Sequence, residues 1–344
     1  MIHPWLDPLR QRLADGRGRL PPGLLLLGRA GIGKFGLAME LARSMLCADG
    51  GDIACGKCDA CRGFDRGMCP DLHLLTTELF ADGLEGVFAS HAARYLEAAE
   101  DRRGRKPRQV ITVDQVRALI AALGTRSHAG GGRVALLAPA SALNVNAANA
   151  LLKVLEEPPE GARFLLVASA RDRLPATILS RVAVLDCHPP DPALGVEWLQ
   201  GQGVPRDSAS LLLELADQAP LTALALHREG IAERIPRWRE SLDALAQGRA
   251  SPFAVAATVG VEHLDRYLYW LEQHLCRELA ARFGKPGAAS AGQDNRLFSP
   301  RLWDIIGKIQ VYRRYQQRAV DAQLFLEDVL VAVWQETGKA SQTG

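Results

Sequence analysis

No apolar run in this chain approaches the ~18 residues that a membrane-spanning helix needs. The opening MIHPWLDPLR lacks the basic start and long apolar stretch of a secretory signal. Together these absences predict a cytoplasmic protein with no membrane contact. Net charge is also scarce: 41 Lys and Arg against 39 Asp and Glu leave a formal +2. That is too little for the overall field to capture nucleic acid, so any such contact must come from a local patch. No internal repeat is found. What is present is core-forming material, 48% hydrophobic residues over a length of 344, enough for two or three domains.

A further absence is chemical. GRAGIGKF, residues 28 to 35, places Gly28, Gly33 and Lys34 in the G-x-x-x-x-G-K spacing of a phosphate-binding loop, but Phe35 stands where Ser or Thr would ligate Mg²⁺. The context is right, because the apolar strand Leu24 to Leu27 precedes the loop and a helical pattern follows it (Leu37, Met39, Leu41, Ala42, Met45, Leu46). Gly31 and Gly33 allow backbone N–H groups to turn inward around phosphate oxygens, and Lys34 could reach the outer phosphates. Hydrolysis also needs carboxylates at the end of a second apolar strand, yet after VALL the chain continues with Ala138 and Pro139. Two coordinated losses predict a loop kept for its fold and no intrinsic ATPase, while the surviving Lys34 leaves ATP binding physically open.

The first half alternates strand and helix patterns. Val134 to Leu137 and Phe164 to Ala168 are apolar strands. Thr112 and Gln115 form a capping box ahead of Val116, Leu119, Ile120 and Leu123, and the helix in NAANALLKVLEEPP stops at Pro158. This order predicts a three-layer α/β domain with a mainly parallel sheet, any nucleotide sitting on the loop after Leu27. Residues 79 to 108 have weak periodicity and read as a partly helical surface insertion ending in the basic run RRGRKPR. Beyond Pro189, Pro190 and Pro192 the pattern is helical throughout, with Ser299 as an N-cap, Pro300 at the first helical position, and a flexible loop in GKPGAASAGQDN.

Five of the seven cysteines lie between Cys47 and Cys69. Cys47, Cys55, Cys58 and Cys61 make a C-x7-C-x2-C-x2-C array suited to a closed tetrahedral Zn²⁺ site, structural and not catalytic. Cys69 follows Cys61 by the same interval that separates Cys47 from Cys55, so spacing alone admits either as the fourth ligand.

HPWL, the cysteine array and above all NAANALLKVLEEPPEGARFLLVASARDRLPATILSR resemble the clamp-loader subunits of bacterial DNA polymerase III, and within them the delta-prime branch; DAQLFLEDVLVAVW is similar to the final collar helix of that family. The resemblance spans Pro4 to about Trp334 and leaves the insertion unmatched. It implies an AAA+ α/β domain over residues 1–188 carrying a zinc module at 47–61, a small helical lid at 189–235, and an all-α collar at 236–344. It also implies that Cys47 is the fourth zinc ligand and that Cys69 lies outside the site. Ser180 and Arg181 fall on the family's Ser-Arg-Cys motif, whose arginine reaches a nucleotide held by the neighbouring subunit; Val182 replaces the cysteine.

The implied partners are gamma/tau and delta subunits in a hetero-pentamer, with the sliding clamp and primer-template DNA engaged through the complex. The residues admit two other readings. A gamma/tau-like motor would need a hydroxyl at position 35 and an acid at 138. A zinc-dependent nucleic-acid binder would use RRGRKPR, which lacks interleaved aromatics for base stacking and reads as a solvated loop.

Overall fold

The computed structural model describes residues 3–16, 20–50, 53–98, 101–102, 104–127, 132–260, 263–283, 300–315 and 321–341. They form two compact units, Met1–Trp198 with Gln218–Thr222, and Leu199–Asp217 with Ala223–Gly344. The loop at 284–295 and the Ser299 cap lie outside the described residues.

In the first unit the described strands are β1 (Gly23–Leu27), β2 (Leu72–Leu75), β3 (Arg133–Leu137), β4 (Ala162–Ala168) and β5 (Ala183–Asp186). All pairings are parallel, in the order β2-β3-β4-β1-β5. The run GLLLL of β1 is buried at every position, as expected for a strand covered on both faces. Leu24 and Leu26 join an apolar cluster with Leu37, Leu41 and Leu74 on one side of the sheet. Leu25 and Leu27 join Val116, Leu119, Leu151 and Phe164 on the other. Each such leucine contributes roughly 1.5–3 kcal/mol on burial, so β1 is clamped between two helical layers and the turn that follows it starts from a rigid base.

The expected α/β class with a parallel sheet is what the chain adopts. The capping box is present as well: the Thr112 N–H donates to Gln115 Oε1 at 2.8 Å, and the Gln115 N–H donates to Thr112 Oγ1 at 3.4 Å. Strands β2 and β5 had no expectation behind them. LHLL is only four residues long, and AVLD sits at the sheet edge with its ends exposed.

The insertion is partly helical, as its pattern predicts, with helices Glu78–Asp82 and Gly86–Ala93. Within its basic run, read as a solvated loop, three arginines are paired with acids. Arg105 pairs with Glu78 (2.6 Å) and Glu97 (2.7 Å), Arg108 with Glu97 (2.6 Å), and Arg102 with Asp82 (3.1 Å). Glu78 is buried, and the hydrogen bonds from Arg105 hold its carboxyl at about 2. Three of the five cations that made this run a candidate nucleic-acid patch are therefore paired within the chain.

The described part of the second unit is helical: Arg206–Leu215, Ile231–Ala246, Pro252–Thr258, Leu264–Phe283, Pro300–Tyr315 and Ala322–Ser341. Trp238, Tyr267 and Trp270 pack ring to ring in its core at 5.2–5.8 Å. Among the described residues no single helix is long and apolar enough to cross a membrane.

Candidate functional site

The loop after β1 has the backbone of a phosphate cradle but is engaged by its own chain. Gly33 is left-handed (φ 89°) and opens the helix Lys34–Leu46. Gly31 is also left-handed (φ 78°), and a Cβ there would lie 2.0 Å from Thr222 Oγ1. The Leu221 N–H donates to the Gly31 carbonyl at 2.9 Å. Trp5 Nε1 donates to the Ile32 carbonyl at 2.9 Å, and His3 stacks on Trp5 while a Cβ on Gly33 would lie 2.4 Å from the His3 ring. Lys34 turns inward, its Nζ donating to the Arg29 carbonyl at 2.5 Å. It is only 5% exposed, and burial pushes its ammonium down to about 8.

Phe35 is more than a missing hydroxyl. Its ring meets Phe80 edge-on at 5.3 Å and Phe88 at 5.6 Å, so the position that would serve a metal in a motor instead fastens the insertion to the helix Lys34–Leu46. Phe35→Thr is expected to cost about 1–3 kcal/mol of stability and to yield no ATP turnover, since Ala138 and Pro139 supply no carboxylate. A thermal melt and an ATPase assay on the same preparation check both halves; a fully stable variant that hydrolyses ATP would contradict them.

The four expected cysteines meet. The sulfurs of Cys47, Cys55, Cys58 and Cys61 lie within 4.8 Å of one another, Cys55 and Cys61 at 4.0 Å. Zn–S bonds of ~2.3 Å in a tetrahedron separate sulfurs by roughly 3.8 Å, so the donor set fits the ion with a small contraction. Cys47 ends the helix Lys34–Leu46, and Cys58 caps the helix Asp59–Asp65 by accepting from the Cys61 N–H at 3.4 Å. The Cys55 N–H donates to Cys47 Sγ at 3.3 Å, and the Cys58 N–H to Cys55 Sγ at 3.4 Å. Such bonds favour thiolates: the one from Cys61 leads in holding Cys58 down to about 6, while burial pushes Cys61 up to about 12. Cys69 is outside this group and buried in the apolar cluster that also holds Phe64.

Arg181 follows the short helix Ala176–Leu179 and precedes β5. Its Nε donates to Glu156 Oε1 at 2.7 Å, its Nη2 donates to the same oxygen, and its Nη1 donates to the Thr177 carbonyl (2.8 Å) and to Ser180 Oγ (3.1 Å). Ser180 is exposed and serves here as one of the arginine's acceptors.

The family model described as DNA polymerase III, delta subunit, matches residues 6–191. A DNA polymerase III subunit delta' of Pseudomonas aeruginosa is 37% identical over 74% of this chain and 70% of that protein. The chain belongs to the DNA polymerase III delta-prime family. The Escherichia coli K12 subunit delta' is 28% identical over 96% of this chain and 95% of its own length. Among solved structures, a DNA polymerase III gamma-subunit-related protein from Thermotoga maritima aligns with 97% of this chain and 99% of its own at 14% identity and a TM-score of 0.41.

Several residues of this delta-prime family site carried no signal in the sequence. Thr222 lies 191 positions beyond Gly31, in a stretch whose helical pattern marks no contact with the loop. Phe80 and Phe88 belong to an insertion with weak periodicity, and Glu156 is one acid of a Glu-Glu-Pro-Pro stretch that reads simply as a helix end.

Proposed function

We propose that this chain is the subunit of a DNA polymerase III clamp loader that does not hydrolyse nucleotide and supplies Arg181 to the ATP held by a neighbouring motor subunit. The family is one of clamp-loader subunits. The observation that carries the non-hydrolysing part is the engagement of Lys34 with the Arg29 carbonyl and of Phe35 with Phe80 and Phe88. The two side chains that would handle phosphate and Mg²⁺ in a motor are committed to the protein's own structure. On this reading the partners are gamma/tau and delta subunits in a hetero-pentamer, acting on the sliding clamp and primer-template DNA. Arg181 is the group that reaches across a subunit boundary, and the adjacent Ser180 accepts from its Nη1 at rest.

The cysteine module fits the same reading as a structural zinc site. Cys47, Cys55, Cys58 and Cys61 would fill all four positions of the ion, leaving none for substrate. When bound, the metal supplies a cross-link between the end of one helix and the start of the next.

Reconstitution tests the proposal. A loader assembled with gamma/tau and delta subunits is expected to load clamps and to show DNA-stimulated ATPase only when this chain is added, whereas the chain alone shows no turnover. Full ATPase and clamp loading without it would overturn the reading.

A further inference from the structure

The guanidinium that the proposed finger would offer is already spoken for. A guanidinium has five N–H donors, and here the Nε, one Nη2 and two Nη1 contacts go to Glu156 Oε1, the Thr177 carbonyl and Ser180 Oγ. A residue that only oriented the finger would hold the Nε side and leave the two Nη ends free to meet phosphate. In this chain both ends are held, and they are folded back along the helix Ala176–Leu179. We infer that Glu156 is a latch, keeping Arg181 withdrawn until a nucleotide bound by the neighbouring subunit takes the carboxylate's place. The inference rests on the finger reading above and adds to it a means of regulation.

The strength of the pair suits an exchangeable hold. The side chains are 29% and 48% exposed, so water and salt screen the attraction and the pair is weak. A polyphosphate carries more charge than a carboxylate and accepts the same planar fork. Exchange therefore replaces one anionic partner by a stronger one, and the released Glu156, at the exposed end of the helix Val145–Glu156, returns to solvent without a buried charge being stranded. A neighbour without nucleotide offers no competing anion, and the arginine stays down. The latch thus ties the availability of the finger to occupancy of the site it serves.

The test uses the reconstituted loader carrying Glu156→Gln, with Arg181→Ala and the double variant beside it. Glu156→Gln is expected to raise the ATPase rate measured without DNA or clamp by about two- to fivefold, the factor that loss of an exposed ion pair allows. The double variant should match Arg181→Ala alone, because the latch has nothing to hold once the arginine is gone. In the lone subunit, hydrogen exchange at the Arg181 Nε–H, followed by NMR, should quicken in Glu156→Gln while the melting temperature stays unchanged. Glu156→Asp, which keeps the charge but shortens the reach, should behave like Glu156→Gln and controls for an amide-specific effect.

A slower or unchanged ATPase in Glu156→Gln, with Arg181→Ala still strongly impaired, would overturn the latch and leave the finger standing. Equal Nε–H exchange in wild type and Glu156→Gln would show that the pair is not held in solution and would end the proposal on independent grounds. Wild-type ATPase in the Arg181→Ala loader would remove the finger reading itself, and the latch with it.

Discussion

Arg181→Ala is expected to lower the ATPase of the reconstituted loader by about a thousandfold or more, within the range that an arginine acting on a neighbour's phosphoryl group supplies. The lone subunit should keep its melting temperature, because the lost pair with Glu156 is exposed and worth at most about 1 kcal/mol. Arg181→Lys should recover only part of the rate. An ammonium can place a charge near the phosphate but cannot reproduce the planar fork of donors that Arg181 presents to Glu156, Thr177 and Ser180 at rest. A structural role would give the reverse pattern: a lower melting temperature of the isolated chain and poor assembly in proportion to it. Measuring the melt on the lone variant and the rate on the assembled complex separates the two outcomes.

Metal removal is expected to have the second large effect. Elemental analysis should find one zinc per chain, lost in Cys55→Ser and Cys61→Ser. Chelation should lower the melting temperature of the first unit by roughly 6–12 °C, the shift that a loss of ~3 kcal/mol produces in a domain of this size. The module is anchored on both sides, by Cys47 at the end of the helix Lys34–Leu46 and by the Arg43–Asp65 pair at 2.7 Å. Release of the ion should therefore loosen the start of the helix Asp59–Asp65 and leave the sheet intact. Cys69→Ser discriminates between the two ligand sets that spacing allowed. It should retain the metal while losing some stability, since it puts a hydroxyl into a core position only 3% exposed. Loss of zinc in Cys69→Ser with retention in Cys47→Ser would refute the assignment.

Much of the site was legible because its grammar is local. A buried strand, left-handed glycines and a helical stripe occupy one stretch of about two dozen residues, so the strand, turn and helix around Gly31, Gly33 and Lys34 could be read from periodicity and residue type alone. The capping box at Thr112 is likewise a three-residue interval. The address of Arg181 came from its resemblance to a family motif, and the two missing metal functions from substitutions at fixed offsets in the same short patterns. The ion pairs of the basic run were not legible because its partners lie outside it. Asp82 and Glu78 precede it by twenty residues or more, and composition cannot say that a chain will turn back to meet them.

By itself, then, the sequence determined the fold class of the first unit, the absence of the Mg²⁺-ligating hydroxyl at Phe35 and of carboxylates at Ala138 and Pro139, and a pool of five thiols from which four would be drawn. Tertiary structure alone decided that Lys34 turns onto Arg29, that Phe35 grips Phe80 and Phe88, and that Arg181 rests on Glu156. It also brings Cys47, which spacing left open and the family resemblance favoured over Cys69, to the other three sulfurs. The physical reason is range. Hydrogen bonding and periodicity act over three or four residues and leave their mark in the order of residue types. The contact of Glu156 with Arg181 exists only because the sheet places β4 and β5 on either side of β1, and that of Gly31 with Thr222 only because a segment 191 residues on packs back onto the loop.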